Sequence, residues 1–265
     1  MIVGYNEAHF LGQCLESVSF CDEIVYTDLG STDSSVETAS IYTDKIRFRD
    51  RKGVPSCEIV QSALVDSLKN DWVMFIDPDE TLDPSLGNMI MQQFFKIAAN
   101  EKVGAVMVPW QFYFRRKKLK GTVWGGLNKK YLLVNRHRFR FAPIVHYGRQ
   151  ILPGFEIFEV HFNGQSNVLH HFWMNSFAVF LKKHLRYLKK EGCDQFNNGI
   201  RVSKRELLLK PFDSFYYSFF VSKGYKDGIT GFLLSLFWAY YKTHSAIDVF
   251  RFQRKERLKV LNGNY

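Results

Sequence analysis

The sequence predicts an α/β protein: a mainly parallel sheet flanked by helices, followed by a helical C-terminal extension. Three observations carry this. Up to residue 110, short runs of β-branched and aromatic residues alternate with apolar stripes at helical spacing. A stretch from 111 to 174 is rich in aromatic, glycine and basic residues without clean helical periodicity, and from Asn175 onward helical patterns return. Strands alternating with helices give parallel pairing through right-handed crossovers, with helices on both faces of the sheet. The expected division is therefore 1–110, 111–174 and 175–265.

The elements follow in order. Ile2-Val3, Glu23 to Thr27, Lys45 to Phe48, Trp72 to Ile76 and Val103 to Val108 are runs of strand composition and length. Between them, Phe10, Leu11, Cys14, Leu15 and Val18 recur at helical spacing, as do Ile59, Val60, Ala63, Leu64 and Leu68. Ser34 with Glu37 three residues on reads as a capping box. Asp83-Pro84 reads as an N-cap and first-turn proline opening a helix through Met89, Met91 and Phe95. Residues 110 to 170 predict loops and short strands, including antiparallel ones. Phe177, Phe180, Leu181, His184, Leu185 and Leu188 form one helical face with lysines around it. A break is expected at Pro211, then an aromatic helix, a segment from Gly224 to Gly231, and a last helix through Leu233 to Tyr241.

Composition bounds the function. The chain has 265 residues, 46% hydrophobic and 23% charged, which excludes collagen-like, low-complexity and fully disordered chains. Its net charge of +10 favours an anionic partner. Cys14, Cys21, Cys57 and Cys193 form no CxxC pair, so core thiols in a reducing compartment are expected. No secretory signal pattern opens the sequence, and a cytoplasmic location is expected. Ile229 to Tyr241, the most apolar stretch, falls short of the approximately 20 residues that span a bilayer.

In open parallel sheets, ligands bind beyond the carboxyl ends of the strands. There the second strand ends in Asp28-Leu29-Gly30-Ser31-Thr32-Asp33 and the fourth in Asp77-Pro78-Asp79-Glu80. Asp33 and Asp83 have the ordinary reading of turn and cap residues. Asp77 and Asp79, two acids directly after a hydrophobic strand, suit an oxygen-loving divalent cation whose shell is completed by water and ligand phosphates.

Tyr5-Asn6-Glu7, the Asp28 to Asp33 loop and Phe75-Ile76-Asp77-Pro78-Asp79-Glu80 together resemble the family 2 glycosyltransferases of the GT-A (Rossmann-like) fold. Gly121 to Gly126, His170-His171-Phe172-Trp173, the helix with Lys183 and Arg186-Tyr187, and Lys223 to Gly228 resemble the branch of lipopolysaccharide-core sugar transferases. The resemblance implies transfer of a sugar from a nucleotide-sugar donor to a glycan or lipid-linked acceptor, dependent on Mn²⁺ or Mg²⁺ and inverting. It implies that Tyr5, Asn6 and Glu7 line the nucleotide pocket and that Asp28 meets the base. Asp77 would hold the ribose or diphosphate side, Asp79 the metal, and His170 or His171 a later metal or phosphate contact.

Two departures stand out. Only Ile2 and Val3 precede Gly4, where related sequences have a longer apolar run. Those sequences also carry a Val-His-Glu, whereas this chain has Val145-His146-Tyr147 and Val160-His161-Phe162. An inverting transfer needs a group to take the acceptor proton, and Glu80, Glu156, Glu159 and His146 are the candidates.

The same residues have two rival readings. Asp77-Pro78-Asp79-Glu80-Thr81 fits the nucleophile motif of haloacid-dehalogenase-like phosphatases, but the acids after Glu101, including Asp194, Asp213, Asp227 and Asp248, are isolated and supply no second acidic pair. Arg115 to Lys120 and Arg136 to Arg140 could track a nucleic-acid backbone, yet no nucleic-acid-binding motif accompanies them, and neither GxxxxGK[ST] nor GxGxxG is present. Finally, Phe212, Phe215, Tyr216, Phe219 and Phe220, then Phe232 to Tyr241, repeat at helical spacing before Arg251, Arg254, Lys255, Arg257 and Lys259. This combination suits either packing on the rest of the chain or peripheral contact with an anionic membrane.

Overall fold

The computed structural model describes residues 1–52, 57–141 and 149–261. It falls into two compact units: Met1–Gln111 with Asn128–Trp173, and Phe112–Leu127 with Met174–Tyr265. The segment 111–174 is thus shared between the units rather than forming one of its own.

The first unit opens with β1 (Ile2–Gly4), α1 (Ala8–Ser17), β2 (Tyr26–Asp28), α2 (Ser35–Ser40), β3 (Ile46–Phe48) and α3 (Cys57–Leu64), which runs into a 3-10 turn at Val65–Ser67. β1, β2 and β3 pair in parallel, with Val3 opposite Thr27 and Thr27 opposite Arg47, as the strand–helix alternation predicts. Next come β4 (Trp72–Met74), β5 (Glu80–Leu82), α4 (Pro84–Ala99) and β6 (Val103–Phe114). After them in the chain lie β7 (Lys117–Lys118), which belongs to the second unit, and then β8 (Leu127–Asn135), β9 (Phe139–Phe141), β10 (Arg149–Ile151), β11 (Glu156–Glu159) and β12 (Leu169–Met174).

A larger sheet runs β4-β8-β6-β12-β5, with β11 and β7 also on β6. It is mixed. β11 runs parallel to β6, while β4 with β8, β5 with β12 and β6 with β7 are antiparallel. The region after residue 110 supplies the antiparallel neighbour of β4, which is β8. Met1 joins the two sheets, its nitrogen donating to the Met74 carbonyl at 2.8 Å.

Alternation along the strands divides the core. Ile2 packs with Leu11, Leu15, Leu86 and Leu132, whereas Val3 packs with Val60, Leu64, Phe75 and Val134, so both faces of the sheet are covered. In α4 the cap is as expected, Asp83 accepting from the Ser85 amide at 2.9 Å. Leu86, Ile90 and Ile97 face inward, while Met91 and Phe95 are exposed.

The second unit holds α5 (Phe177–Asn197), α6 (Lys204–Tyr216), a π-helical turn (Tyr217–Val221), a 3-10 turn (Gly224–Asp227) and α7 (Gly228–Leu261). In α5 the buried row is narrower than expected: Phe180, His184, Leu188 and Gly192 are inward, while Leu181 and Leu185 are exposed. Pro211 does not break the chain. It sits inside α6, which a Ser203/Glu206 capping box starts about two turns earlier. α7 begins at Gly228 and continues 34 residues, well beyond Tyr241, with Gly231 inside it.

Candidate active site

Two of the sequence motifs are clasped together by hydrogen bonds. The Asn6 amide donates to Ser31 Oγ at 2.9 Å, the Thr32 amide donates to Asn6 Oδ1 at 2.7 Å, and the Glu7 amide donates to Ser35 Oγ at 2.9 Å. Asn6 adopts φ 56°, the left-handed region that asparagine tolerates best among non-glycine residues. Asp33 ties the ends of two helices, accepting from the Ala8 amide at 3.2 Å and from the Ser35 amide at 3.1 Å. The expected Ser34–Glu37 capping box is therefore replaced: Ser34 makes no side-chain cap bond, and Asp33 does that work. Asp28 is buried. Its carboxylate accepts from the Gly30 and Ser31 amides at 2.8 Å each and from the Tyr26 hydroxyl at 3.3 Å, shaping the loop that begins at it. Over Tyr5 lies the Arg51 guanidinium, 3.9 Å from the ring centre.

Beyond β4, Asp77 to Glu80 form a tight turn, the Glu80 amide donating to the Asp77 carbonyl at 2.9 Å. Glu80 folds back so that its Oε2 accepts from the Asp77 amide at 2.8 Å. Lys130 from β8 reaches into the turn and bridges both acids, 3.0 Å from Asp77 Oδ2 and in close contact with Glu80 Oε2. Glu80 and Lys130 are buried. Burial opposes the charge on Asp77, but the Lys130 ammonium, then Arg149 and His171, hold its carboxyl well below the usual range. Burial pushes Glu80 upward, only partly offset by Lys130. On Lys130 burial works against the charge and the two carboxylates outweigh it, so its pKa is raised.

Asp79 points to a different partner. Its Oδ2 lies 3.3 Å from His171 Nε2, and its carbonyl accepts from the Phe172 amide at 2.8 Å. The His171 ring stacks on Trp110 at 4.9 Å with an interplanar angle of 6°. His170, the next residue along β12, instead faces Asp83 Oδ2 at 3.5 Å, beside the start of α4. Successive side chains of a strand leave on opposite faces, so of the two histidines it is His171 that shares a place with Asp79.

These residues suit a divalent cation held jointly with a phosphate ligand. Asp77 is committed to Lys130, which leaves one oxygen donor from Asp79 and one nitrogen donor from His171. Among the described residues no cluster of three or more His, Cys, Asp or Glu side chains could cage an ion by itself. Magnesium-like ions that bind nucleotides commonly take one or two protein ligands and draw the rest from phosphate and water.

The base candidates separate. Glu80 is locked under Lys130. Glu159 pairs with Lys129, the neighbour of Lys130 on β8, and so lies on the opposite face of the sheet from the Asp77 turn. Glu156 is exposed at the start of β11, opposite Val103, several residues along β6 from Trp110. His146 lies outside the described residues.

Sequence reasoning missed Lys130, Trp110 and Arg149. Lys130 left a signal: it opens the buried, largely apolar stretch of β8 that continues through Leu132, Leu133 and Val134, and a lysine in such a stretch needs a buried counter-charge.

The fold is that of the GT-A glycosyltransferases. A mannosyltransferase from Pyrobaculum calidifontis, solved in complex with GDP-Man and Mn²⁺, superposes with a TM-score of 0.53 at 12% identity, over 94% of this chain and 85% of that one. The sequence model of Glycosyl transferase family 2 matches residues 1–182, and the chain belongs to that family. It is 26% identical to the lipopolysaccharide core biosynthesis glycosyltransferase LpsC of Rhizobium meliloti, over 94% of this chain and 90% of that protein. To an uncharacterized glycosyltransferase of Rickettsia typhi it is 23% identical, over 100% of this chain and 90% of the relative. The protein is a glycosyltransferase.

Proposed function

We propose that this enzyme transfers a sugar from a nucleotide-sugar donor to a hydroxyl of a glycan or lipid-linked acceptor, with inversion, at a divalent-cation site formed by Asp79 and His171. The observation that carries the reading is the division of labour in the acidic turn: Lys130 bridges Asp77 and Glu80, while Asp79 is directed to a histidine. The clasped loops of Tyr5-Asn6-Glu7 and Asp28 to Asp33 take the nucleoside, with Asp28 fixing the loop against which the base rests. Asp77, kept anionic, faces the ribose or diphosphate side. Asp79 and His171 would hold the cation, which would supply Lewis-acid stabilisation of the departing diphosphate. In the transfer itself the acceptor oxygen bonds to the anomeric carbon as the carbon–oxygen bond to the diphosphate breaks, and the acceptor proton passes to a base.

The binding of GDP-Man and Mn²⁺ by the mannosyltransferase, and the role in lipopolysaccharide core synthesis that the name of LpsC states, support a nucleotide-sugar donor and a lipid-linked saccharide acceptor. A cytoplasmic site of action fits both. The basic runs have internal uses that weaken a nucleic-acid role: Arg136 donates to the Leu68 carbonyl at 2.6 Å and pairs with Asp71, and Arg138 donates to the Val103 carbonyl at 2.8 Å.

A panel of UDP-, GDP-, dTDP- and CMP-sugars with and without Mn²⁺, read by thermal shift and by slow donor hydrolysis, tests the reading. One donor class should stabilise the protein and release nucleotide in a metal-dependent way. Indifference to every donor would overturn it.

A further inference from the structure

On α6 and the first half of α7, a set of bulky apolar side chains stands outside, while several of the buried positions are small: Ser214, Ser218, Gly231, Ser235 and Ala239, beside Leu234. α6 and the π-helical turn after it form one continuous helical run from Lys204 to Val221. Along it, an i, i+4 row is exposed: Leu208 by 73%, Phe212 by 72%, Tyr216 by 61% and Phe220 by 52%. The inward side presents Ser214 and Ser218, both buried, with Ser218 Oγ 2.9 Å from Ser235 Oγ on α7. The first half of α7 repeats the pattern. Ile229, Leu233, Leu236 and Tyr240 are exposed, whereas Gly231, Leu234, Ser235 and Ala239 are buried. Packing is close enough that a Cβ on Gly231 would lie 1.9 Å from the Gly224 carbonyl.

A helix pair in water has the reverse arrangement, with its apolar stripes turned toward each other. Small residues between helices and bulky apolar residues outward is the pattern of helices whose surroundings are lipid. Phe215 and Phe219, half-buried, and Phe232, exposed, lie beside the row with ring centres 5.3 to 5.9 Å apart and add aromatic surface to it. An apolar surface of this kind marks an interaction site.

Charge identifies the occupant. Lys204 and Arg205 stand exposed at one end of the run, and Lys223 and Lys226 at the other. The acids nearby are largely engaged: Glu206 accepts from the Ser203 amide in the capping box, and Asp227 accepts from the Gly121 amide at 2.7 Å, while Asp213 is exposed on the run. A second copy of the chain, related by a two-fold axis, would set cations against cations whichever way the two rows ran. An anionic headgroup layer complements both ends at once. No helix among the described residues is long and apolar enough to cross a membrane, and an amphipathic helix that docks on a leaflet without spanning it lies in the plane of the interface.

We propose that the outer face of residues 204–240 is a membrane-docking surface. Leu208, Phe212, Tyr216, Phe220, Ile229 and Leu233 enter the boundary between headgroups and acyl chains of an anionic leaflet, and Lys204, Arg205, Lys223 and Lys226 meet its lipid phosphates. The proposal rests on the helical unit alone and is independent of the donor site. The basic C-terminal end, Arg254, Lys255 and Arg257, is exposed further along α7 and is outside this face.

The test is cosedimentation of the full chain with vesicles of phosphatidylcholine, with or without phosphatidylglycerol, at low and at high salt. Binding is expected with phosphatidylglycerol and should weaken with salt. The pair Lys223→Glu and Lys226→Glu should lower partitioning on the order of 25-fold, each cation being worth about five-fold. The pair Phe212→Ser and Phe220→Ser should abolish binding while leaving the nucleotide-induced thermal shift unchanged. Should that pair fold poorly, Phe212→Trp provides a second measurement: its indole emission should be quenched by brominated lipid in anionic vesicles. Failure of the wild-type chain to sediment with either vesicle overturns the proposal. So does a dimer in light scattering that the serine pair dissociates and that ignores lipid, or an indole untouched by brominated lipid.

Discussion

Lys130 is the residue on which the acidic turn depends. Two carboxylates within hydrogen-bond reach of one buried ammonium form a set that is stable only when complete, because removing the cation leaves uncompensated buried charge. Lys130→Met should therefore cost about 3–5 kcal/mol in urea unfolding, and adding Glu80→Gln should recover part of it. A loss near zero would show that the turn does not need its counter-ion. Asp33 offers a milder and pH-dependent case. Burial works against its charge, but together the Ser35 hydroxyl and the Ala8 and Ser35 amides outweigh it and hold the carboxyl below its usual range. A depressed carboxylate stabilises the fold above its unfolded pKa and loses that contribution as pH falls toward the folded one. Asp33→Ala should cost about 1 kcal/mol near neutral pH, and the gap to wild type should narrow below about pH 4, as thermal melts at several pH values would show. Acids at strand ends were legible in the sequence because carboxylates directly after an apolar strand rarely serve packing. Lys130 and Trp110 come from strands more than thirty residues away in sequence, and only strand pairing brings them to the turn.

At the scale of elements, the first three strands and their helices were legible because period and composition agree there. Elsewhere the two diverge. Met91 and Phe95 share helical spacing, yet the row that α4 buries is Leu86, Ile90 and Ile97. Pro211 reads locally as a break, but a helix already started by the Ser203/Glu206 box can pass through a proline at the loss of one backbone bond. Gly231 reads as flexible punctuation between helices. It is a contact point instead, and Gly231→Ala would press a methyl group against the Gly224 backbone. That substitution should destabilise the helical unit by roughly 1–3 kcal/mol, measured by chemical denaturation, and an unchanged midpoint would mean that α7 can shift away from the 3-10 turn at no cost.

For the whole molecule, fold class and family were legible from three short motifs, and the structure explains why those motifs occur together. Two of them form one clasp at the carboxyl ends of β1 and β2, and the third is the turn beyond β4. The choice between His170 and His171 was not legible, because neighbouring residues of a strand differ only in the face they take. It gives the account its most direct test. Calorimetric titration with the nucleoside diphosphate of the preferred donor, with and without Mn²⁺, should show metal-dependent tightening in the wild type and in His170→Ala. The tightening should vanish in Asp79→Ala and in His171→Ala. Metal-dependent affinity that survives Asp79→Ala, or that is lost in His170→Ala and kept in His171→Ala, would contradict the placement of the cation.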